Sequence, residues 1–290
     1  MNTSATPAAS LPTTSLPAAV PVRLPVLHWG RPDASRRALL LHGLTSSGAC
    51  WWRVADELAE AGWSVTAPDL RGHGHAPRTR RYDIASFVAD VTPITPYDGG
   101  AWDLVVGHSL GGAVATAAAS AEPGWADRLL LVDPALTIAG ELNEAMLQAM
   151  IAELDATPEA LRAANPAWHP EDATLKAAAA ALTSPHVVDS ILRQNIPWSY
   201  EQALTAYPHP ATVLAADPAR YPAFTAEEGR RVASAKKDFA WSVVEGAGHS
   251  VHRDNPAAVI AAALAEPQLG AGGRSGRAGA SVHVGPPLLL

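Results

Sequence analysis

The chain has 290 residues, of which 48% are hydrophobic and 17% charged, and its formal net charge is -7. This composition is typical of soluble globular proteins and argues against disordered, fibrous and membrane-spanning chains. The acidic balance, without long runs of Lys or Arg, disfavours binding to nucleic acids or membranes, and the single cysteine, Cys50, excludes a disulfide scaffold and favours the cytoplasm.

The two ends of the chain differ in composition from the part between them. Residues 1–20 lack the basic start of a signal peptide, and Pro, Ser and Thr interrupt their apolar residues, which predicts a disordered tail. Residues 268–290 are rich in Gly, Ser and Pro without any periodicity, so a flexible tail is predicted there as well.

Between the tails, short apolar runs alternate with longer amphipathic ones. This pattern predicts an α/β fold with a mostly parallel, doubly wound sheet covered by helices on both faces. The predicted strands lie at 37–41, 63–68, 102–107, 128–132, 211–215 and 241–244, with an upstream edge strand at about 22–29. The predicted helices lie at about 49–61, 84–94, 110–121, 226–235 and 255–265.

One connection in this series is much longer than a crossover requires. The strand ending at Val132 and the next one, beginning at Ala211, are separated by a stretch that itself has the pattern of three or four helices. We therefore expect a core formed by residues 21–136 and 209–267, with a helical cap inserted at 137–208.

The segment GHSLGG lies between an apolar strand and a helical pattern. In this context G-x-S-x-G predicts a tight strand-to-helix turn that exposes a nucleophile, Ser109, with Gly107 and Gly111 giving the turn room. The N-terminus of the following helix directs backbone N–H groups towards the serine, so the N–H of Leu110 is an expected oxyanion donor. Leu44, after the His-Gly turn that ends an earlier strand, is expected to supply the second donor.

A serine nucleophile requires a histidine as base and a carboxylate that fixes the tautomer of that histidine. His249 follows the last predicted strand and is the predicted base, in preference to His252 three residues later. Two carboxylates also follow strands at the same edge of the sheet. Asp217 is the preferred acid, and Asp133 is the alternative.

Taken together, five motifs resemble those of the α/β-hydrolase superfamily, in the branch with a helical cap. They are HG at 42–43, APDLRGHG at 67–74, GHSLGG at 107–112, LLLVDPA at 129–135 and GAGHSVHRDNP at 246–256. The resemblance implies that Ser109, Asp217 and His249 are nucleophile, acid and base, with Leu44 and Leu110 in the oxyanion positions. The run Ala-Ala-Asp-Pro replaces the usual Gly-x-x-Asp at the acid, and some members use the Asp133 position instead.

A serine at this turn argues against epoxide hydrolases and haloalkane dehalogenases, which by the same resemblance have an aspartate there. The favoured hypothesis is a serine hydrolase that cleaves a carboxylic ester or lactone, a small-molecule partner. A C–C bond hydrolase, a cofactor-free haloperoxidase or perhydrolase, and a receptor-like ligand-binding protein on the same scaffold remain alternatives. No metal-ligand spacing or nucleotide-binding motif is present, so no cofactor is expected.

Several aromatic residues are expected near the serine, because a cap inserted at this point lies over the carboxyl ends of the strands. Trp51 follows the oxyanion loop, and the cap contains Trp168, Trp198 and Tyr200. They suggest an apolar substrate group. The pair Met146 and Met150 is interpreted as part of the core of the cap.

Overall fold

The computed structural model describes residues 19–265, so most of the predicted N-terminal tail and all of the predicted C-terminal tail lie outside the described residues. The strands in this range are β1 (Val26–Trp29), β2 (Arg36–Leu41), β3 (Trp63–Pro68), β4 (Leu104–His108), β5 (Leu129–Val132), β6 (Thr137–Ile138), β7 (Trp198–Ser199), β8 (Ala211–Ala215) and β9 (Phe239–Val243).

The main sheet has seven strands in the order β1-β3-β2-β4-β5-β8-β9. Only β1 is antiparallel to its neighbour, and the other pairs are parallel. The predicted mostly parallel sheet is therefore confirmed, with the upstream strand at its edge. Parallel strands share one carboxyl edge, so the loops after β2, β4, β5, β8 and β9 meet on the same side of the molecule.

The α-helices are α1 (Trp52–Glu60), α2 (Ile84–Val91), α3 (Leu110–Ala121), α4 (Glu144–Ala152), α5 (Pro158–Ala164), α6 (Pro170–Ala181), α7 (Pro185–Asn195), α8 (Glu201–Ala206), α9 (Ala226–Ala235), α10 (Val251–Asp254) and α11 (Pro256–Leu264). Helices α5, α6, α7 and α11 begin with proline, which suits the first helical position because no intrahelical partner awaits its missing N–H. None of the helices in residues 19–265 is long and apolar enough to span a bilayer.

Strand β2 shows how the two faces of the sheet are covered. Leu39 and Leu41 pack into the cluster that contains α2 and α3, whereas Ala38 and Leu40 pack into the cluster that contains α1 and α11. All four side chains are fully buried. Burial of a leucine side chain contributes about 1.5–3 kcal/mol, so this alternation fixes the register of the strand and both helical layers.

Between β5 and β8 the chain leaves the main sheet and forms β6, α4 to α8 and β7. We call residues 137–208 the insertion. Side-chain hydrogen bonds attach it to the core: Trp52 Nε1 donates to Asp172 Oδ1 (2.9 Å), and the backbone N–H of Ile84 donates to Asn195 Oδ1 (2.8 Å). These contacts hold the helices of the insertion over the carboxyl edge of the sheet.

Candidate active site

Ser109 occupies the turn between β4 and α3. Its backbone has φ +52° and ψ -117°, a region that residues other than glycine rarely adopt. Hydrogen bonds hold it there: its N–H donates to Val132 O (3.2 Å), and its carbonyl accepts from the N–H groups of Gly112 (2.9 Å) and Ala113 (3.2 Å). The strain is therefore imposed by β5 and α3, and local strain of this kind is concentrated at functional sites.

The close packing around this turn explains its glycines. A Cβ atom on Gly111 would lie 2.2 Å from the carbonyl oxygen of Leu41, and one on Gly107 would lie 2.6 Å from the carbonyl oxygen of Gly111. Neither distance is compatible with a side chain. The glycines allow α3 to approach the ends of β2 and β4 closely enough to support the serine.

The imidazole of His249 is bonded to a fully buried carboxylate. Its Nδ1 lies 2.6 Å from Oδ2 of Asp133, which directly follows β5 and has a positive φ of 38°. The backbone N–H groups of Ala216 (3.1 Å), Ala223 (2.9 Å) and Phe224 (3.3 Å) also donate to this carboxylate. These donors replace the water that burial removes, so the carboxylate has a fixed position from which to orient the imidazole.

The structure contradicts the preference for Asp217 as the partner of the histidine. Oδ1 of Asp217 accepts from the N–H of Ala219 (2.9 Å) and Oδ2 from the N–H of Gly246 (2.8 Å). Hydrogen bonds from Gly246 and Ala219 lower the pKa of this carboxyl group. The carboxylate caps the turn that directly follows β8, so it is engaged locally, and the alternative, Asp133, meets His249 instead.

Two further histidines lie behind this pair. Nε2 of His108 donates to the carbonyl oxygen of His249 (2.9 Å), which fixes the loop after β9 beside the residue that precedes the serine. The alternative base, His252, lies between the rings of Trp51 and His108 in tilted contacts, with 4.6 Å between ring centroids in each case, and only 4% of it is exposed. Burial, followed by the charge of Arg253, holds the pKa of His252 well below its usual value. It is therefore a neutral packing residue.

The predicted oxyanion donors follow β2 and β4. Leu110 is the first residue of α3, so its N–H has no intrahelical partner, and Leu44 follows the turn after β2. His42 supports that turn: its Nε2 accepts from the N–H of Leu70 (2.9 Å), and its Nδ1 donates to Gly43 O (2.8 Å). Burial lowers the pKa of His42 to about 4, so the ring is neutral and matches these two bonds.

A cleft with two lobes opens at the serine. Leu44, Ser109, Met150 and His249 line both lobes. What we call the polar lobe has a volume of about 350 Å³, and its other lining residues include Thr45, Glu153, Asn165, Trp168, Lys176 and Arg253. What we call the apolar lobe has a volume of about 510 Å³, and its other lining residues include Leu110, Ile138, Met146, Ile191, Leu192 and Trp198.

The aromatic residues predicted near the substrate have different positions. Trp168 lies in the polar lobe and Trp198 in the apolar lobe. The prediction for Trp51 is wrong: a 3-10 helix turns this side chain into the core, where only 1% of it is exposed. Tyr200 packs against the main hydrophobic cluster. The presence of an aromatic residue near the serine in the sequence therefore did not distinguish residues that line the cleft from residues packed in the core behind it.

Sequence reasoning missed several residues that line the cleft. Met146 and Met150, interpreted as core, face the apolar lobe. Lys176 lies in no motif, and its only signal was a single Lys before the alanines that end α6. Arg253 lies within GAGHSVHRDNP, four residues after His249, but that motif drew attention to its histidines alone. Within residues 19–265, no three or more His, Cys, Asp or Glu side chains are grouped so that they could hold a metal ion.

Comparisons with known proteins give the following matches. Residues 38–263 match the model of the alpha/beta hydrolase family. The lipase LipV of Mycobacterium tuberculosis is 37% identical over 134 residues, 46% of this chain and 50% of the lipase. A pimeloyl-[acyl-carrier protein] methyl ester esterase of Aliivibrio salmonicida is 30% identical over 115 residues, 40% of this chain and 42% of the esterase.

The chain thus spans half or less of the length of these two curated relatives. A solved structure, an N-formylmaleamic acid deformylase from Pseudomonas putida S16, superposes with a TM-score of 0.68 at 22% identity, covering 82% of this chain and 94% of that one. At this level of identity the superposition demonstrates a common fold.

Proposed function

The chain belongs to the alpha/beta hydrolase family, and on that premise we propose that it is a serine hydrolase that cleaves a carboxylic ester or lactone. Ser109 is the nucleophile, His249 the base and Asp133 the acid. The names of the lipase and the methyl ester esterase describe ester cleavage, which supports the reaction class, although each is matched over half of its length or less.

The reaction follows from the bond between the histidine and the carboxylate. Asp133 keeps the proton of His249 on Nδ1, so the lone pair of Nε2 is free to accept the proton of the Ser109 hydroxyl. The serine oxygen attacks the carbonyl carbon, and the N–H groups of Leu44 and Leu110 stabilise the oxyanion. His249 then protonates the leaving alcohol, and water activated by the same imidazole hydrolyses the acyl-enzyme.

One observation supports the proposal above all others. A histidine bonded at 2.6 Å to a buried carboxylate lines the same two lobes as a serine with a strained, positive-φ backbone. A strained serine or a histidine bonded to a buried carboxylate, taken singly, can have a purely structural role. In combination they supply the parts that nucleophilic catalysis requires: a half-buried serine that lines the cleft, a histidine that lines the same cleft and a group that orients the histidine.

The test is to measure hydrolysis of p-nitrophenyl esters and lactones by the wild type and by Ser109→Ala. We expect the substitution to reduce kcat/KM by about three to six orders of magnitude, because no other residue replaces the nucleophile. Ser234→Ala is the matched control, since this exposed serine on α9 bonds only to a backbone carbonyl of its own helix.

Labelling with a fluorophosphonate probe is the independent measurement. The wild type and Ser234→Ala should be labelled, and Ser109→Ala should not. Turnover retained by Ser109→Ala would refute the assignment of the nucleophile. A wild type that is unlabelled but binds an ester tightly would instead favour a ligand-binding protein on the same scaffold, and halogenation that depends on peroxide would favour the haloperoxidase alternative.

A further inference from the structure

The polar lobe contains two cationic side chains that the proposed hydrolysis does not use. Arg253, on α10, is 2% exposed, and Lys176, on α6 of the insertion, is 8% exposed. Both line the lobe together with Ser109. Placing a charge in such a buried position is costly unless a partner compensates it, so the partners of these two groups decide what the lobe can bind.

The ammonium group of Lys176 is largely satisfied within the protein. It donates to the backbone and side-chain oxygens of Thr45, and it lies 3.6 Å from a carboxylate oxygen of Glu153. Burial lowers its pKa to about 8, so the group is still mainly protonated at neutral pH. Its main contribution is to hold the loop after β2, and it adds positive potential to the lobe.

The guanidinium of Arg253 has no such partner among residues 19–265. It donates to two neutral hydroxyls, from Nη1 to Ser250 (2.9 Å) and from Nη2 to Ser46 (3.1 Å), and it lies 5.1 Å from the ring centre of Trp168. Its Nε has no hydrogen-bond partner in the described structure, and no carboxylate there lies within ion-pairing distance. An arginine has five N–H donors, so most of them are unused.

The acidic groups of the lobe do not neutralise this charge directly. Asp254 accepts from the backbone N–H of Gly248 (2.9 Å) and from Trp168 Nε1 (2.8 Å), and the side chain of Glu153 is 58% exposed beside Lys176. Burial raises the pKa of the Cys50 thiol, but Arg253 and hydrogen bonds from nearby serines outweigh it, so the net shift is downward. The lobe therefore has a buried cation without a carboxylate partner.

We infer that the polar lobe binds a carboxylate of the substrate through Arg253, while the apolar lobe holds a hydrocarbon group on the other side of the scissile carbonyl. The inference rests on the proposed function, because both lobes meet at Ser109 and His249. A singly charged carboxylate fits better than a phosphate dianion, since Glu153 and Asp254 also line the lobe and would repel a second negative charge.

The test compares pairs of esters in which a carboxylate is replaced by a neutral carboxamide of similar size. In the first pair, p-nitrophenyl hydrogen adipate and its carboxamide analogue, the carboxylate or carboxamide is on the acyl side of the ester. In the second pair, 4-carboxyphenyl butyrate and 4-carbamoylphenyl butyrate, it is on the alcohol side. In one of the two pairs, we expect wild-type kcat/KM to be higher for the carboxylate by about tenfold or more, the effect of one charge-assisted hydrogen bond. Equal or faster hydrolysis of the neutral member in both pairs would overturn the inference and leave the proposed function intact.

Two variants then test whether the preference for the carboxylate ester depends on Arg253. Arg253→Met should reduce the ratio of the two kcat/KM values to about one, because it removes the charge and keeps most of the side-chain volume. The matched control is Arg193→Met, which removes an exposed arginine that pairs with Glu144 and Asp189 on the insertion. A ratio unchanged in Arg253→Met, or equally reduced in the control, would contradict the assignment to Arg253.

Calorimetry with Ser109→Ala separates binding from turnover, so it remains decisive if the wild type cleaves none of the four esters. In that case the titration alone judges the subsite, and the assays of other p-nitrophenyl esters and of lactones with Ser109→Ala judge the proposed function. We expect monomethyl adipate to bind about tenfold or more tightly than methyl adipamate. Equal affinity of the two, or tighter binding of inorganic phosphate than of monomethyl adipate, would refute a carboxylate subsite.

Discussion

Replacement of Asp133 by asparagine gives a sharp test of how the histidine is oriented. Oδ2 of the aspartate accepts from Nδ1 of His249 (2.6 Å) and from the N–H of Ala223, while Oδ1 accepts from the N–H groups of Ala216 and Phe224. An asparagine has only one acceptor oxygen. If that oxygen keeps the bonds to Ala216 and Phe224, the amide NH2 faces His249 and donates to Nδ1.

The imidazole then carries its proton on Nε2 and can no longer accept the proton of the serine. Imposing the wrong tautomer on a catalytic histidine costs about 10⁴-fold in kcat, which corresponds to about 5 kcal/mol of transition-state stabilisation. Asp133 is fully buried, so the variant also leaves a backbone N–H unpaired and should lose about 1–3 kcal/mol of unfolding free energy.

The assay is p-nitrophenyl ester hydrolysis at a temperature where circular dichroism shows Asp133→Asn to be folded. Asp217→Asn is the matched control, because that carboxylate accepts only from Ala219 and Gly246 and has no bond to His249. We expect its kcat/KM to stay within about threefold of the wild type. A large loss of activity in Asp217→Asn with a small loss in Asp133→Asn would refute the reasoning.

Three other predictions concern stability. Gly111→Ala should unfold the protein or lower its free energy of unfolding by more than about 3 kcal/mol in urea denaturation, because the new Cβ would lie 2.2 Å from a β2 carbonyl oxygen. Gly124→Ala is the control: no atom lies within 4 Å of its new Cβ, so the free energy of unfolding should change by less than about 1 kcal/mol. The pKa of His42 is about 4 in the folded state against 6.5 for an unperturbed histidine, so its contribution to stability is complete above pH 6.5 and is lost as the pH falls towards 4. Between pH 7 and 4.5 this loss is about 2 kcal/mol, and the unfolding free energy of His42→Gln should fall less steeply than that of the wild type; identical slopes would contradict the assignment. Asp90→Asn should lower the free energy of unfolding by about 3–5 kcal/mol in chemical denaturation, because it leaves the buried guanidinium of Arg71 without the carboxylate that lies 2.5 Å away. A decrease of less than about 1 kcal/mol would contradict a stabilising role for this ion pair.

The local signals in the sequence were sufficient for most of the core. The bounds predicted for β3 and β8 agree with the structure, and helix α3 was predicted at 110–121 because its cues are contiguous: a strand, two glycines at a tight turn and an alanine-rich run. These cues act over a few residues, so spacing alone reveals them. The turn at Ser109 was predictable for the same reason.

The choice between two acids required information that no local pattern contains. Asp133 and Asp217 both follow strands at the same edge of the sheet, and the distance along the chain to His249 does not decide between them. The decisive facts are three-dimensional: Asp217 caps its own turn, while the positive φ of Asp133 belongs to a conformation in which its carboxylate reaches the loop after β9.

The walls of the cleft were still harder to predict. Trp51 was expected to face the substrate because it follows the oxyanion loop, but the 3-10 helix there turns it beneath His252. Lys176 and Arg253 are separated by 77 positions and line the same lobe because α6 of the insertion packs against the 3-10 helix Gly48–Trp51 of the core. Contacts between distant segments decide such a site, and a single sequence does not reveal them.

Different parts of the chain supply the two kinds of residue in the cleft, and this affects how substrate selectivity can change during evolution. The serine, the histidine and its carboxylate partner follow strands β4, β9 and β5 of one rigid sheet, whereas Met146, Ile191 and Trp198 belong to the insertion. Exchange of residues 137–208 between homologous proteins would therefore replace much of the lobe proposed to hold the hydrocarbon group, while the proposed catalytic residues keep their own scaffold. New substrate ranges can then arise by recombination or by point mutation within this segment, provided that Lys176 continues to hold the loop after β2.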